Sequence, residues 1–315
     1  MLKMDTLNIL RKYLGDKLEY RKDLSSYLTM KMKTMAEYYF EPESIDDWMK
    51  ALKVIDKFNI PYHVIGGGSN IAVMSDLIEG VVLKNSLRLF KIEHEADNYV
   101  DVTIGSGNPM SQIVTETIKR GWSGFEYQRG LPGTMGGAIY MNSKWTDPLS
   151  YVGDSLLIGT IIDREGEVRI ESRDYFSFSY DYSKLQDTKE VFLHGVFRLM
   201  KHDVYELEQR AKQVQNYRHE TQPHGVATGG CFFQNISEKE QKKYNLPSRS
   251  AGYLIDEVGL KGVRIGSFQI SNKHANFIEN VGNGNASDLT KLVNKIESKV
   301  LKKYKVRLKF EVRVI

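Results

Sequence analysis

Two glycine-rich runs constrain this chain more than any other feature: Gly66-Gly67-Gly68-Ser69-Asn70 and Gly130-Leu131-Pro132-Gly133-Thr134-Met135-Gly136-Gly137-Ala138. Successive glycines let main-chain N–H groups approach a ligand closely, and such nests of amides suit a pyrophosphate. Each run follows an apolar, strand-like stretch, so the pair predicts one large phosphate-bearing cofactor held between two lobes. The first run also excludes a fold. A dinucleotide βαβ unit needs a strand, then G-x-G-x-x-G, then a helix whose N-terminus receives the pyrophosphate. Here Tyr62-His63-Val64-Ile65 reads as a strand, and the glycines lead into Ile71-Ala72-Val73-Met74, which reads as another. The plainer reading of this run is a turn joining two strands.

At 315 residues the chain exceeds the size at which one core keeps growing, so two or three lobes are expected. Lys and Arg exceed Asp and Glu by four, partly in dispersed clusters such as Lys302-Lys303-Tyr304-Lys305. So mild an excess argues against a nucleic-acid partner. The first residues, Met1-Leu2-Lys3-Met4-Asp5, open a polar amphipathic stretch rather than a signal peptide, and no apolar run reaches the length of a membrane span. The single cysteine, Cys231, excludes an internal disulfide and a multi-cysteine metal site. The expectation is a cytoplasmic protein without metal or membrane association, a monomer or weak oligomer.

Residues 1–60 read as mainly helical. Ser44-Ile45-Asp46-Asp47 opens a helix as a capping box with Asp in place of Glu, and Trp48, Leu52 and Ile55 follow at helical spacing. Short strands are expected from Ile60 to Leu83. Val100–Ile104 alternates as a strand ending in Gly105-Ser106-Gly107, and Met110–Lys119 has the spacing of a helix with Ile113, Val114, Thr117 and Ile118 on one face. Strands Ser155–Ile162 and Glu167–Ile170 flank a turn at Asp163-Arg164-Glu165-Gly166. Residues 202–217 predict a long helix opening a third lobe. A final amphipathic helix, with Ser287 as N-cap, buries Leu289, Leu292, Val293, Ile296 and Val300, and a strand from Val306 to Val314 ends the chain. The division expected is 1–86 and 87–201 for two cofactor lobes and 202–315 for a substrate lobe.

The order VIGGGSN, GLPGTMGGAIYMN, YRHETQP, GGCFFQN, GLKG, SNKHANFI and FEVR resembles the UDP-N-acetylenolpyruvoylglucosamine reductases (UDP-N-acetylmuramate dehydrogenases), of which this chain looks like a divergent member. The resemblance is collinear from Pro61 to the C-terminus, and the N-terminal sixty residues match poorly. It implies an α+β fold, a vanillyl-alcohol-oxidase-type FAD-binding fold in two lobes plus a C-terminal α+β substrate lobe. It also implies noncovalent FAD, NADPH as donor and a sugar-nucleotide substrate, in peptidoglycan precursor synthesis. No His or Cys lies between His94 and His194, so residues 95–193 offer no side chain for covalent flavin attachment.

By the same resemblance Gly66, Gly67, Gly68, Ser69 and Asn70 cradle the cofactor, as do Gly130, Pro132, Gly133, Thr134, Gly136, Gly137 and Ala138, with Gly105, Ser106 and Gly107 nearby. The family's proton donor is a serine in G-S-x-F-K-N, and Cys231 holds that position. A thiol, with an unperturbed pKa near 8.5, is protonated at neutral pH and is a better acid than a hydroxyl. Without the resemblance, a cysteine among phenylalanines reads as a core residue. Glu311, in the closing E-V-R, corresponds to the glutamate that helps stabilise the enol. A strand over 309–313 puts it opposite Phe310 and Val312. Expected substrate contacts are Arg218, Gln234, Asn235, Lys273, His274 and Asn276. Arg218 also reads as a cation favoured at a helix C-terminus, and His274 as a hydrogen-bonded core histidine.

The chain departs from the family at several places. The arginine of F-x-Y-R-x-S, which neutralises developing negative charge, is Asp181 within Phe178-Ser179-Tyr180-Asp181-Tyr182-Ser183. Either another cation substitutes, with Arg218, Arg129 and Arg264 as candidates, or the chemistry differs and Asp181 is itself functional. Gln234-Asn235-Ile236 replaces K-N-P, Lys33-Thr34 stands where two glycines are usual, and Ser143-Lys144-Trp145 replaces a small-residue run. The leading expectation is the reductase. The alternatives are a paralogous flavin oxidoreductase acting on another sugar nucleotide or metabolite, or a flavin-binding protein without turnover.

Overall fold

Helix capping and strand pairing are defined for residues 3–315 of the chain, the part described by this computed structural model. It divides into two compact units. Unit 1 takes residues up to Arg21 with Glu37–Gly67 and Glu79–Arg218, and unit 2 takes Lys22–Ala36, Gly68–Ile78 and His219–Ile315. Neither unit is contiguous in sequence. The position expected as the first lobe boundary, 86/87, falls inside unit 1.

A four-stranded sheet orders Glu19–Asp23, Met35–Phe40, Leu77–Lys84 and Tyr62–Ile65, the last two parallel. Most of it belongs to unit 1, where helix Ile45–Lys57 contributes Trp48, Ala51, Leu52 and Ile55 to a core with Tyr38, Phe40, Val81 and Leu83. Ser44 caps that helix by accepting from Asp47 N at 3.1 Å. The reciprocal Asp47 carboxylate reaches the amide of Glu43 rather than that of Ser44, at 3.2 Å, because Asp is one methylene shorter than the Glu of a full capping box. The strands at 19–23 and 35–40 correct the helical reading of the first sixty residues. Met35–Phe40 is a nearly continuous buried run, which shows no strand alternation in the sequence.

The larger sheet of unit 1 runs Val168–Ser172, Leu156–Ile162, Val191–Lys201, Tyr99–Gly105 and Phe90–Glu95, all antiparallel. The expected hairpin closes at Asp163–Gly166, where Gly166 N donates to Asp163 O at 3.2 Å. Helix Met110–Lys119 forms with the bounds its pattern predicts, and its Ile113, Val114 and Ile118 join Val100, Val102, Ile104 and Phe197 in a core. Leu207 and Ala211 of helix Val204–Thr221, expected to open the third lobe, are buried in this same core.

Unit 2 holds an antiparallel meander of Ala227–Cys231, Phe277–Asn280, Phe268–Ile270 and Arg264–Ile265. Helix Ala286–Tyr304 buries the predicted stripe, Leu289, Leu292, Val293, Ile296 and Val300. Its N-cap is Asn285, not Ser287: the Asn285 side chain accepts from Asp288 N at 2.9 Å. The terminal strand is also shorter than expected. Only Arg313–Val314 pairs, in parallel with Ile71–Ala72, so ladder bonds reach no further back along 306–312 than an isolated bridge at Phe310. Tyr62–Ile65 and Ile71–Ala72, the two strands flanking the first glycine run, pair with different partners, so the run is not a hairpin turn. Among the described residues no helix is long and apolar enough to cross a membrane.

The cap assignment is testable. Asn285→Ala should cost about 1 kcal/mol in chemical denaturation, whereas Ser287→Ala, at an exposed position inside the first turn, should stay within about 0.5 kcal/mol. Equal losses would place the helix start elsewhere.

Candidate active site

Unit 1 brings the two glycine runs into main-chain contact. A β-carbon on Gly67 would lie 2.5 Å from Gly133 Cα, and one on Gly66 would lie 2.6 Å from Thr134 Oγ1. Only glycine permits this approach. Thr134 is buried, and its hydroxyl has no hydrogen-bond partner among the described residues. An unspent hydroxyl beside two apposed glycine backbones is a chemical match to a pyrophosphate, so these residues fit the FAD that the sequence implies. The second run continues into helix Met135–Met141 through Ala138 N to Thr134 O, 2.9 Å.

Gly105-Ser106-Gly107 has a different part. Its three amides donate to Leu89 O, Leu193 O and Leu87 O, each at 2.8 Å, so none is left for a ligand. Ser106 is fully buried, its hydroxyl donates to Asn85 Oδ1 at 3.0 Å, and its carbonyl accepts from Gly136 N at 2.8 Å. This stretch braces the second glycine run from behind.

Asp181 is 5 % exposed and forms an ion pair with Lys144. Its other oxygen, Oδ2, is buried with no hydrogen-bond partner among the described residues. Of the cations named from sequence, Arg129 pairs with Glu208 at 3.2 Å, and exposed Arg264 bonds Gly266 O at 2.7 Å. Arg218, in the last turn of its helix, sets its guanidinium 5.2 Å from the Trp145 ring centroid. A β-carbon on Gly130 would lie 3.1 Å from the Arg218 stem. In the sequence, Lys144 stands out only as a departure from a small-residue run. The signal that could have paired it with Asp181 is the coincidence of a gained cation and a lost one.

Unit 2 brings Cys231 and Glu311 together. Cys231 ends its strand, after a register shift over Gly229-Gly230, and is half-buried. The next residue, Phe232, accepts from Glu311 N through its carbonyl at 2.9 Å, and Phe233 bridges Phe310 with their rings stacked at 5.4 Å. Cys231 and Glu311 therefore belong to paired main-chain segments that also carry Phe232, Phe233 and Phe310. Asn70, closing the first glycine run, donates its amide to Glu311 O at 3.2 Å and accepts from Arg313 N at 2.8 Å.

Asn276 does not present a free amide to a ligand. It is buried, its Oδ1 accepts from Phe233 N at 2.9 Å and its Nδ2 donates to Phe233 O at 2.7 Å. It pins the strand end that carries Cys231. His274 packs edge-on against Phe277 at 5.0 Å, and its Nδ1 accepts from Asn276 N at 3.3 Å. Burial pushes the imidazole below its ordinary pKa, so it is neutral at neutral pH. Exposed Lys273 gives its ammonium to His219 O. Gln234 N donates to Lys309 O at 2.8 Å, and Asn235 Oδ1 accepts from Ala251 N at 3.2 Å.

The pin predicts a measurable cost. Asn276→Ala removes the amide from two buried main-chain groups, each worth about 1–3 kcal/mol when unsatisfied, so unfolding should be easier by about 2–4 kcal/mol. A loss under about 0.5 kcal/mol would return Asn276 to a ligand-facing role.

Sequence comparison accords with this arrangement. Residues 36–170 match an FAD binding domain, and residues 222–315 match the C-terminal domain of UDP-N-acetylenolpyruvoylglucosamine reductase. The UDP-N-acetylenolpyruvoylglucosamine reductase of Bacillus subtilis (strain 168) is 33% identical over 293 residues, covering 93% of this chain and 92% of its own. That of Chlamydia muridarum is 34% identical over 292 residues with the same coverage. The crystal structure of the enzyme from Thermus caldophilus superposes with a TM-score of 0.77 at 27% identity, covering 94% of this chain and 98% of the other. The fold is thus the α+β flavoprotein fold that the resemblance implies, and the chain belongs to the UDP-N-acetylenolpyruvoylglucosamine reductase family.

Proposed function

We propose that this chain is an FAD- and NADPH-dependent oxidoreductase that reduces UDP-N-acetylglucosamine enolpyruvate to UDP-N-acetylmuramate, a step of peptidoglycan precursor synthesis. The observation that carries the reading is the bond from Glu311 N to Phe232 O at 2.9 Å, which joins the main chain of Glu311 to the residue that follows Cys231, the one cysteine of the chain. Residues 1–86 and 87–201 serve the cofactor and 202–315 the sugar nucleotide. The enzyme works in the cytoplasm, a reading supported by its likeness to the UDP-N-acetylenolpyruvoylglucosamine reductases.

When bound and reduced by NADPH, FAD would supply the hydride chemistry at the methylene carbon of the enolpyruvyl group. The chain's own groups do the rest. Gly66, Gly67, Gly133 and the Thr134 hydroxyl hold the pyrophosphate, with Gly105–Gly107 bracing them. Cys231 Sγ–H gives its proton to the carboxylate-bearing carbon and is left as thiolate, restored by a proton from solvent. Glu311 stabilises the enol form of the acceptor. Phe232, Phe233 and Phe310 keep water from the reacting carbons, and Asn276 holds Cys231 in place through Phe233. Arg218, over Trp145 and against Gly130, is placed to meet an anionic group of a ligand at the second glycine run.

Two experiments test this reading. Acid precipitation of the yellow protein should release free FAD into the supernatant, since residues 95–193 contain neither His nor Cys to tether it. Colour that stays with the pellet would contradict noncovalent binding. In rapid mixing, Cys231→Ala should still be bleached by NADPH but be reoxidised by the enolpyruvyl sugar nucleotide about 10²–10⁴-fold more slowly, the usual cost of a lost positioned acid. Cys231→Ser should retain substantial turnover. Normal reoxidation of the Ala variant would make Cys231 a packing residue.

A further inference from the structure

Residues 24–34 cross unit 2 as a strap of turns that belongs to none of its strands. Leu24, Leu28, Met30 and Met32 are buried. Leu24 N donates to Thr34 O and Lys33 N to Gly284 O, each at 3.0 Å, and Asn280 Nδ2 donates to Met30 O at 2.9 Å. The strap meets the first glycine run at Gly68. That glycine has φ +65°, and a β-carbon on it would collide with Tyr27 O and lie 3.0 Å from Leu28 Cα. Thr29 N donates to Gly68 O at 3.1 Å. The Thr29 hydroxyl then reaches the strand that ends in Cys231, donating to Thr228 O at 2.7 Å, with Gly68 O the more distant acceptor at 3.3 Å.

Thr228 is where that strand most needs a hold. Ala227 pairs with Asn280 and Thr228 with Glu279, then the register shifts and resumes with Cys231 opposite Phe277. Gly229 and Gly230 fill the break, Gly230 at φ +84°. Two glycines outside the ladder keep wide backbone freedom, so the ladder by itself does not fix where Cys231 sits. After the break, Phe232 N donates to Asn276 O at 2.8 Å and Asn276 holds Phe233. Before it, the hold is the Thr29 hydroxyl, helped by Met30, whose Sδ would lie 3.2 Å from a β-carbon on Gly229. Asn70, two residues after Gly68, bonds the carbonyl of Glu311. One short loop, Gly68-Ser69-Asn70, therefore bonds both the strap that holds the Cys231 strand and the main chain of Glu311.

We propose that Thr29 is a positioning residue for Cys231. Its amide takes Gly68 O and its hydroxyl takes Thr228 O, which fixes the near side of the two-glycine break and ties the thiol's strand to the loop that also holds Glu311. The inference deepens the reductase reading above and rests on it for the chemical use of the thiol. Threonine suits the place, because it offers two donors from one residue and its β-branch limits χ1, so the hydroxyl is held in few directions. Such a hold matters to a proton donor: a misplacement of about 1 Å can cost about 10²-fold in rate.

The test uses the FAD-loaded full chain. Thr29→Val keeps the shape and the amide bond and removes the hydroxyl, whereas Thr29→Ser keeps the hydroxyl. Cys231 is the one cysteine of the chain, so alkylation by iodoacetamide reports on it alone. In Thr29→Val alkylation should run about 2–10-fold faster, the local opening that loss of one such bond allows. The ratio of reoxidation by the enolpyruvyl sugar nucleotide to reduction by NADPH should fall about 10–10²-fold. Calorimetric binding of UDP-N-acetylmuramate should be unchanged, and Thr29→Ser should restore both the alkylation rate and the ratio. Thr34→Val removes a hydroxyl bond to Ser75 O, 3.0 Å, elsewhere in the strap, and should leave the ratio at its wild-type value. A wild-type alkylation rate in Thr29→Val, an equal fall of the ratio in Thr34→Val, or no rescue by Ser overturns the proposal and leaves the reductase reading intact. Faster alkylation with a wild-type ratio confirms the positioning and removes the thiol from the acceptor step, which overturns the proton-donor reading instead.

Discussion

Main-chain contact between Gly67 and Gly133 sets the spacing of the cofactor cradle, because neither residue has a β-carbon to hold the two runs apart. With an added β-carbon only 2.5 Å from Gly133 Cα, even alanine at 67 would push backbone against backbone, where no rotamer change can relieve the clash. The same approach leaves the Thr134 hydroxyl buried and unspent. Such a group costs free energy in the absence of a partner, so the cradle is stable as a cofactor site more than as a packed core. Ser106 enters this arrangement from behind: its carbonyl takes Gly136 N, its own amide goes to Leu193, and its neighbours spend theirs on residues 89 and 87.

In unit 2 a single asparagine does comparable work. Asn276 matches both main-chain groups of Phe233, and that residue's ring stacks on Phe310. The main chain at Cys231 and at Glu311 is thereby held together around these phenylalanines. Asn70 adds a second hold, through the carbonyl of Glu311. Cys231 and Glu311 are eighty residues apart in sequence, and main-chain pairing brings their segments together.

The electrostatics near the second glycine run follow from one exchange of charge. A carboxylate at 181 alone would be costly to bury. Lys144 answers that problem, and removing either partner of such a pair typically costs about 3–5 kcal/mol. Arg129, by contrast, is engaged by Glu208 and Thr115, and Arg264 by its own turn, so two of the three cations that spacing suggested have other employment.

The sequence by itself determined the flavoprotein class, since glycine runs in strand–loop–strand context exclude a Rossmann unit and collinear motifs name the family. It also determined helix Met110–Lys119 and the buried stripe of the last helix, where local periodicity and packing agree. It misread what depends on distant partners. Met35–Phe40 is a strand because a sheet covers it, and 306–312 is largely not one because Ile71–Ala72 pairs with Arg313–Val314 and Phe310 makes only an isolated bridge. Asn285 takes the cap from Ser287 because the chain enters the helix two residues sooner. Tertiary structure alone decided that Asn276 serves Phe233, that Gly105–Gly107 supports rather than donates, and that Asp181 is paired. Those facts are contacts between segments tens of residues apart, and hydrogen-bonding groups carry no mark in the sequence of the partner they will find.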